Sequence, residues 1–531
     1  MRTLAVLAIA VFVLPGAGPE AGGDVRKAKA YLSEVRKHLL RSYLERERMS
    51  EVGLAAAALK AFAKALKEVD LPEDQREAAR AALGNEETAD GALEAIARAA
   101  PAADVNALAD RAAEAMVRET GDPFCRILTQ DEMTRLVKMI GGGGKEVTAG
   151  VMVQPRADGL AVMYVQACTP ADEEGVEVGD LVTRAGDRAV GGLSPDEAIE
   201  ALKIPPGGAL ELTVTRGGRD YAFRLRAPKA GVPTVRWQSL GQGVGYVRLT
   251  LFDGAALKDV RAALQALAKD GLKGLIFDLR RNPGGALPAA TGIADLFLPQ
   301  DLLIARTVCH YTPSLGGLKF PGLTPPAEYK TRQATDFETM PMVCLVDGGS
   351  ASASELLAGA LKDHRRATLV GGKTYGKGVG QSPIVLSSMF LQRYLYLTVL
   401  RYSTPLGHEV DHVGVAPDVE ARAAALDADA WDARWKLRRD GALERWLDGR
   451  WGPKLAKAAE YDGFETAAWE GFDGLYAGLG TALSKDVVRE ELRRAARRRA
   501  MEEGAAWACD PQADVVLQRG LVVLLDRMEG K

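Results

Sequence analysis

Hydrophobic residues near the start of the chain recur at alternating three- and four-residue steps, which is the period of an amphipathic helix. One predicted helix face consists of Val52, Ala55, Leu59, Phe62 and Leu66. The surrounding sequence is rich in Ala, Glu, Lys and Arg. We therefore predict a helical N-terminal region over residues 24–145, which by default packs onto the chain's own core.

A different pattern begins at about residue 147, where short apolar runs alternate with Gly and Asp turns. Runs such as Leu160–Val165 and Leu210–Arg216 predict short β-strands. Between them, Ser194 and Pro195 have the residue types of an N-cap and a first helical position, which predicts one helix. Residues 146–228 are thus predicted to form a small β domain.

The next region, residues 229–422, contains two segments that combine an apolar run with a tight turn. The first, Gly274–Asp278, leads into the glycine-rich loop Asn282–Gly285, which predicts a buried strand followed by a loop that can approach a ligand. In the second, Glu355 follows Ser352 three places later and an apolar stretch comes next, which is the signature of a helix N-terminus.

Aromatic residues mark the last region, residues 423–531. Six of the seven tryptophans fall there: Trp431, Trp435, Trp446, Trp451, Trp469 and Trp507. This clustering predicts a separate helical extension with its own small core. The arginine-rich run Arg493–Arg499 is typical of a solvated helix face, and contact with an anionic membrane surface or an acidic partner is the alternative.

Composition and charge give no support to several classes of function. The net charge of −3 over 531 residues gives no indication of nucleic-acid binding. The five cysteines are scattered and odd in number, so they define neither a disulfide framework nor a metal-ligand spacing. No metal or organic cofactor is implied.

The first residues suggest export. An early Arg2, an apolar stretch Leu4–Leu14 and small residues after it are typical of a secretory signal peptide, here assigned to residues 1–23. The stretch is short for a membrane span, although an uncleaved membrane anchor is the main alternative. We therefore expect a periplasmic or other extracytoplasmic protein.

The residues around Ser352 favour nucleophilic chemistry. Unpaired N–H groups and the positive dipole end at a helix N-terminus suit the oxyanion that forms when a carbonyl is attacked. The serine needs a base, and a lysine can serve when burial keeps it neutral. Lys377 lies between two glycines, and Gln381 follows at i+4, on the same face of a helix or a strand. Taken separately, each segment also fits an ordinary helix cap or glycine turn.

Taken together, these segments resemble the carboxyl-terminal processing proteases, the tail-specific Ser-Lys peptidases of family S41 that carry a PDZ domain. The resemblance extends over roughly residues 105 to 420 and keeps the family's motif order. It implies that Ser352 is the nucleophile, Lys377 the base and Gln381 an orienting residue. It also implies a multi-domain α/β fold, with a ClpP/crotonase-like protease core, an inserted PDZ-like β domain and helical N- and C-terminal regions.

The resemblance assigns further site residues. The Ala353 N–H and a glycine N–H from Gly284 or Gly285 would form the oxyanion hole. Asp363 would support the active arrangement, although its neighbours depart from the family pattern. The peptide-binding edge of the PDZ domain would lie at Gly150, Val151 and Met152, where methionine replaces the family's usual glycine.

The resemblance, together with the predicted signal peptide, implies an exported serine endopeptidase that acts without ATP on proteins or peptides with accessible C-termini or unstructured segments. In the family, N-terminal helices often carry homo-oligomer contacts. Three alternatives remain open: a Ser352–His364 dyad, a catalytically silent PDZ scaffold, and a crotonase-like acyl-thioester enzyme.

Overall fold

The computed structural model describes residues 24–141, 147–205, 207–227, 233–311, 314–315, 318–319, 327–335, 337–386, 393–423, 428–502 and 507–530. The predicted signal peptide, residues 1–23, lies outside these ranges. Within them, none of the helices combines the length and the apolar character that a membrane crossing requires.

The α-helices of the described ranges are α1 (Val25–Arg41), α2 (Glu51–Glu68), α3 (Glu73–Leu83), α4 (Ala89–Ala99), α5 (Val105–Arg118), α6 (Gln130–Gly141), α7 (Pro170–Glu174), α8 (Pro195–Ala201), α9 (Ala256–Lys269), α10 (Leu287–Ala294), α11 (Ala353–Asp363), α12 (Ala428–Arg439), α13 (Ala442–Leu447), α14 (Pro453–Glu460), α15 (Phe472–Leu479), α16 (Lys485–Glu502) and α17 (Val515–Met528).

The β-strands of the same ranges are β1 (Arg126–Thr129), β2 (Val147–Thr148), β3 (Val151–Pro155), β4 (Leu160–Val165), β5 (Leu181–Ala185), β6 (Arg188–Ala189), β7 (Lys203–Ile204), β8 (Ala209–Arg216), β9 (Arg219–Arg226), β10 (Val235–Ser239), β11 (Val244–Leu249), β12 (Gly274–Asp278), β13 (Leu303–Cys309), β14 (Ser314–Leu315), β15 (Leu318–Lys319), β16 (Glu328–Lys330), β17 (Met342–Val346), β18 (Thr368–Gly371), β19 (Val379–Val385), β20 (Arg393–Ser403) and β21 (Val419–Glu420).

The chain divides into two compact units, and the first comprises Met1–Val137, Thr307–Ala327 and Val379–Arg401. Its helices α1, α2, α4 and α5 pack on one another. Strand β20 pairs antiparallel with β1 and with β19. Within the described ranges the predicted N-terminal region, residues 24–145, is thus mainly helical and also contains the strand β1.

The helix face predicted for α2 is partly wrong. Phe62 and Leu66 are buried as expected, but Val52 is 81% exposed. Leu54 is buried instead, on the side of α2 that faces the other helices. Because successive helical residues turn by about 100°, Val52 and Leu54 point in nearly opposite directions.

The second unit comprises Lys138–Arg306, Glu328–Gly378 and Tyr402–Lys531, and a six-stranded sheet lies at its centre. The strand order is β10-β11-β12-β17-β18-β21, and every neighbouring pair is parallel except β10 with β11. All residues of β12 and β17 are buried, as expected for parallel strands covered on both faces. The predicted buried strand Gly274–Asp278 is confirmed.

Helices cover both faces of this central sheet. Alternate strand residues such as Phe277 and Cys344 pack with α9, α10 and α11 on one face. Their neighbours Ile276 and Val343 pack on the other face against α17. The arrangement is that of an α/β core, as predicted.

The PDZ-like region is the β domain that the sequence indicates. Its sheet has the order β3-β4-β5-β8-β9, with β6 paired to β5. Ser194 and Glu197 form the predicted capping box at the start of α8. Strand β3 therefore lies at an edge of the described sheet, where an extended peptide could add.

The C-terminal extension has its own core, but it is not separate from its neighbours. Trp446, Trp469 and Leu492 belong to a cluster formed by its own helices. By contrast, Trp431 packs inside the core of the PDZ-like domain, and α17 covers the central sheet. The prediction of a separate extension therefore describes only part of this segment.

The arginine run of α16 faces inward instead of forming a solvated face. Arg493 is 2% exposed and pairs with Asp510. Arg494 donates to the carbonyl of Glu173, and Arg497 stacks on the ring of Trp507 with its guanidinium carbon 4.4 Å from the ring centre. These arginines therefore contact groups of the same chain, whereas the sequence suggested contact with solvent or with a membrane surface.

Candidate active site

Three neighbouring strands of the central sheet deliver the candidate site. Strands β12, β17 and β18 are parallel and adjacent, so the loops that follow them emerge at the same edge. The loop after β12 carries Gly284 and Gly285, the loop after β17 carries Ser352, and the loop after β18 carries Lys377. The fold thus brings together residues that are up to 93 positions apart in the sequence.

Ser352 occupies the turn between β17 and α11 in a strained conformation. Its backbone angles, φ of 56° and ψ of −116°, lie in a region that residues other than glycine rarely adopt. Such backbone strain is concentrated at functional sites. Its neighbours Ser350 and Ser354 are fully buried, and their hydroxyls donate to the carbonyls of Leu279 (2.8 Å) and Asn282 (2.9 Å). Ser352 alone of the three serines is partly exposed.

The glycine loop lies directly against this turn. Gly284 has a φ of +100°, and a Cβ atom built on it would lie 2.8 Å from the Ser352 Cβ and 2.9 Å from the Ala353 nitrogen. The loops are also tied by a hydrogen bond from the Ala351 N–H to the carbonyl of Asn282, 2.9 Å long. Glycine at position 284 is therefore what allows the two backbones to approach.

The backbone N–H groups of this region differ in their partners. The Gly284 N–H donates to Oδ1 of Asn282 at 2.9 Å. In the described part of the chain, neither the Ala353 N–H nor the Gly285 N–H donates a hydrogen bond. Of the two glycines that the sequence left open, Gly285 is thus the one whose N–H is available to an oxyanion.

The carboxylate of Glu355 connects the serine turn to the lysine loop. Oε2 accepts hydrogen bonds from the Ser352 N–H (2.9 Å) and the Lys377 N–H (2.8 Å). Oε1 accepts from the Gly376 N–H (2.7 Å) and the Thr374 hydroxyl (2.6 Å). Burial raises the pKa of this fully buried carboxyl, and its four hydrogen bonds oppose that rise.

Tyr402 makes a second connection between the same two residues. Its hydroxyl lies 2.8 Å from the carbonyl oxygen of Ser352 and 2.8 Å from that of Lys377. The ring is buried, and burial raises the pKa of Tyr402 well above its usual value, so the hydroxyl stays protonated as a donor. The sequence reasoning passed over this role of Tyr402, since no local pattern around it indicates a contact with either residue.

A glycine also shapes the lysine loop. A Cβ atom on Gly378 would lie 2.3 Å from the backbone nitrogen of Asp411, and the Gly378 N–H donates to Oδ1 of Asp411 at 3.2 Å. Lys377 is thus held in a loop pressed against the segment that follows β20. The sequence reasoning missed Asp411 in this supporting position.

Comparisons with known proteins show which family the chain belongs to. The model of peptidase family S41 matches residues 243–421, and a PDZ domain model matches residues 148–226. A carboxyl-terminal-processing protease of Synechocystis sp. is 35% identical over 58% of this chain and 69% of its own length. The chain belongs to the carboxyl-terminal-processing proteases of peptidase family S41. It is accordingly a serine-type peptidase with a PDZ domain.

Two further relatives bear on sequence and fold. Carboxyl-terminal-processing peptidase 3 of Arabidopsis thaliana, a chloroplastic protein, is 31% identical over 59% of this chain and 60% of its own length. The solved structure of the photosystem II D1 C-terminal processing protease superimposes with a TM-score of 0.51 at 24% identity, covering 74% of this chain and 93% of that one. The multi-domain α/β fold predicted from the family resemblance is thereby confirmed.

Two residues assigned by family resemblance have other contacts. Gln381 belongs to β19, in the first unit, and its amide Nε2 donates to the Thr398 hydroxyl at 3.0 Å. Lys377 lies before the start of that strand. The prediction that Lys377 and Gln381 lie on one face of a common helix or strand is therefore wrong. Asp363 accepts a hydrogen bond from the Leu406 N–H at 2.8 Å and so fixes the turn that follows Tyr402.

His364 does not fit a dyad with Ser352. Ser352 is the N-cap of α11 and His364 is its C-cap, so the 11 residues of the helix separate them. The two positions are therefore 12 helical steps apart, and at 1.5 Å per step this is roughly 18 Å. The His364 ring nitrogen Nε2 instead lies 2.7 Å from the carbonyl of Leu303.

The PDZ-like domain approaches the glycine loop from its own side. The Tyr164 hydroxyl donates to the carbonyl of Arg281, and the Arg281 side chain pairs with Asp172. The expected peptide edge begins at Gly150 and Val151, and Met152 is 60% exposed there. Binding at this edge would occur on a domain that contacts the loop leading to Gly284 and Gly285.

Proposed function

We propose that this chain is an exported endopeptidase that engages accessible chain ends or unstructured segments through its PDZ domain and cuts them with a Ser352–Lys377 pair. One observation carries the assignment of the pair. The Glu355 carboxylate and the Tyr402 hydroxyl each bond to the backbone of both Ser352 and Lys377. Two buried bridges thus connect the backbone of Ser352 to that of Lys377, which supports the proposal that they act as nucleophile and base.

The reaction would proceed in two stages. Lys377, in its neutral form, accepts the proton of the Ser352 hydroxyl as the oxygen attacks the peptide carbonyl. The N–H groups of Ala353 and Gly285 stabilise the oxyanion, and the amine product departs with a proton. Water, with Lys377 again as base, then hydrolyses the ester and frees Ser352.

The remaining residues assigned by the family resemblance would position the pair or hold the substrate without reacting themselves. Gln381 and Asp363 are proposed as orienting and supporting residues, the second through the turn after Tyr402. The PDZ edge at Gly150, Val151 and Met152 would hold the substrate by adding it as a strand to β3. Export is proposed from the apolar segment Leu4–Leu14.

The test uses the purified protein with an unstructured protein substrate, and mass spectrometry identifies the fragments. The parent should cleave, while Ser352→Ala and Lys377→Ala should lose turnover and remain folded by circular dichroism. Lys373→Ala is the matched control, because Lys373 is exposed in the same loop and should leave cleavage unchanged. Full activity of Lys377→Ala at neutral pH would remove this lysine from the mechanism.

A serine-directed covalent probe separates the enzyme from a binding scaffold. The parent should be labelled on Ser352, and Ser352→Ala should not. Absence of both labelling and cleavage, even with C-terminal peptides added to occupy the PDZ edge, would favour the scaffold. Acyl-thioester turnover that survives in Ser352→Ala would favour the crotonase-like alternative.

A further inference from the structure

A cavity of about 470 Å³ lies at the C-terminal end of α11, the opposite end of the helix from Ser352. Arg365, Arg366 and Arg527 are among the residues that line it. Its other walls include Pro299 and Met340, which are apolar. The cavity is thus distinct from the proposed active site and combines a cationic side with an apolar one.

Two of the three arginines of this cavity have neutral partners, and the third, Arg365, is exposed. Arg366 is 8% exposed, and it donates from Nε to the carbonyl of Phe297 (2.8 Å) and from Nη2 to that of Phe337 (2.5 Å). Arg527 donates from Nη1 to the Thr368 hydroxyl at 2.6 Å. Across the described ranges, none of the three arginines forms an ion pair with a carboxylate.

One acidic side chain also lines the cavity. Glu338 is close enough to favour the charged form of Arg366, but one of its oxygens accepts the Thr335 N–H at 3.1 Å. Three guanidinium groups against one carboxylate leave an excess of positive charge. Burial, and then the charge of Arg527, lowers the pKa of Arg366 to about 10.

Such an arrangement is unfavourable without a counter-ion. Of the three arginines, Arg366 is buried, Arg527 is half-buried and Arg365 is exposed. Buried charges in proteins are normally paired, and like charges in one cavity repel each other. An anion in the cavity would remove both costs. The planar guanidinium group offers parallel N–H donors that match the oxygens of a phosphate.

We propose that this cavity binds a phosphate group, either free or as an organic monoester whose apolar part contacts Pro299 and Met340. The distance of the cavity from Ser352, roughly 18 Å along α11, makes it a second binding site and not a subsite for the scissile bond. The proposal is independent of which residues perform the cleavage.

Isothermal titration calorimetry on the purified protein tests the proposal, with sodium phosphate and phenyl phosphate as probes at constant ionic strength. We expect saturable binding to one site. Arg527→Gln and Arg365→Gln should each raise the dissociation constant at least tenfold. Arg224→Gln, on an exposed position of β9, is the control and should not change it.

Arg366→Gln also removes two hydrogen bonds to carbonyls, so its folding is checked by circular dichroism and the other two variants carry the test. Tighter binding of phenyl phosphate than of phosphate would assign the site to monoesters, and equal binding would assign it to free phosphate. The absence of saturable binding of either probe, or equal affinity in the parent, Arg527→Gln and Arg365→Gln, would overturn the proposal.

Discussion

The carboxylate of Glu355 accepts a hydrogen bond from the backbone N–H of Lys377, 22 positions later in the chain, with a length of 2.8 Å. The same oxygen accepts the N–H of Ser352. Glu355, which the local sequence indicates only as part of a helix cap, therefore also fixes the relative position of the proposed nucleophile and base. This relation makes the geometry of the pair sensitive to a buried side chain that does not itself react.

Replacing Glu355 with glutamine should impair catalysis. An amide has the size of the carboxylate, but its NH₂ group would face N–H donors where two hydrogen bonds now form. We expect kcat/KM to fall at least tenfold, equivalent to about 1.4 kcal/mol of transition-state stabilisation. Cleavage of an unstructured protein measures the effect, with Glu420→Gln on exposed β21 as control. Equal activity of Glu355→Gln and the parent would contradict the positioning role.

Tyr402→Phe removes the second bridge and keeps the ring. The carbonyl groups of Ser352 and Lys377 would lose the single O–H donor that they share in a buried site, and such a loss typically costs about 1–3 kcal/mol. We expect a lower free energy of unfolding in urea and a kcat reduced several-fold. Tyr394→Phe is the matched control, because its hydroxyl on the same strand bonds to Gln130 at 2.6 Å. If both variants lose kcat equally, the bridge has no special role.

Gly284→Ala should abolish activity for a steric reason. The new methyl group would lie 2.7 Å from the Ala351 carbonyl and 2.8 Å from the Ser352 Cβ, so the serine turn or the glycine loop would have to move. Gly271→Ala separates this effect from backbone strain, because Gly271 also has a positive φ (+81°) but has no atom within 4 Å of a built Cβ. We expect Gly271→Ala to cleave normally in the same assay. Normal cleavage by Gly284→Ala would show that the loop does not need this approach.

Much of this site could be predicted from the sequence, because its motifs are local. The serine turn, the glycine loop after β12 and the lysine between glycines each have a recognisable short pattern. The second role of Glu355 was not predictable, since its bonds to residues 374–377 depend on the packing of β17 beside β18. Tyr402 is 50 positions from Ser352, and no periodicity reports such a contact.

The helical regions illustrate a second limit of the sequence. The tryptophan cluster indicated a core after residue 422, but composition alone does not specify which core each ring enters. Trp431 is buried with the PDZ-like domain, whereas Trp469 is buried within the extension. The arginines of α16 likewise looked solvated because charge is usually exposed, and only their pairing with Asp510 and other groups explains their burial.

Trp431→Ala should destabilise the PDZ-like domain, although Trp431 belongs to the C-terminal extension. The Trp431 side chain is 9% exposed, and the guanidinium carbon of Arg216 lies 4.4 Å from the centre of its ring. Truncation of a buried Trp costs about 3–5 kcal/mol, so amides of β8 and β9 should exchange faster with solvent. Trp431→Phe should be milder, because the indole Nε1 has no hydrogen-bond partner among the residues that the structure describes. Trp237→Ala, at a ring that is 42% exposed, is the control. Unchanged exchange in Trp431→Ala would mean that the extension does not support this domain.

The buried carboxylate of Asp278 should make stability depend on pH in a defined direction. Burial alone would raise the pKa of Asp278, but Arg280 and Arg248 outweigh it and hold the pKa well below the usual value of 3.8. Between these two pKa values the unfolded chain binds a proton that the folded protein does not, so the free energy of unfolding rises with pH. The contribution of Asp278 is therefore fully present above the unfolded pKa and is lost as the pH falls towards the folded one.

Urea unfolding of the parent and Asp278→Asn over about pH 6 to about pH 3 measures this contribution. We expect the parent to be the more stable at the upper end and the difference between the two to shrink as the pH falls. Asp270→Asn, at the exposed C-terminal end of α9, should follow the parent throughout. Should Asp278→Asn fail to fold, Tyr246→Phe removes only the 2.7 Å hydrogen bond to Asp278 and should show a smaller difference with the same pH trend. A difference that stays constant with pH would mean that the arginines do not hold Asp278 ionised.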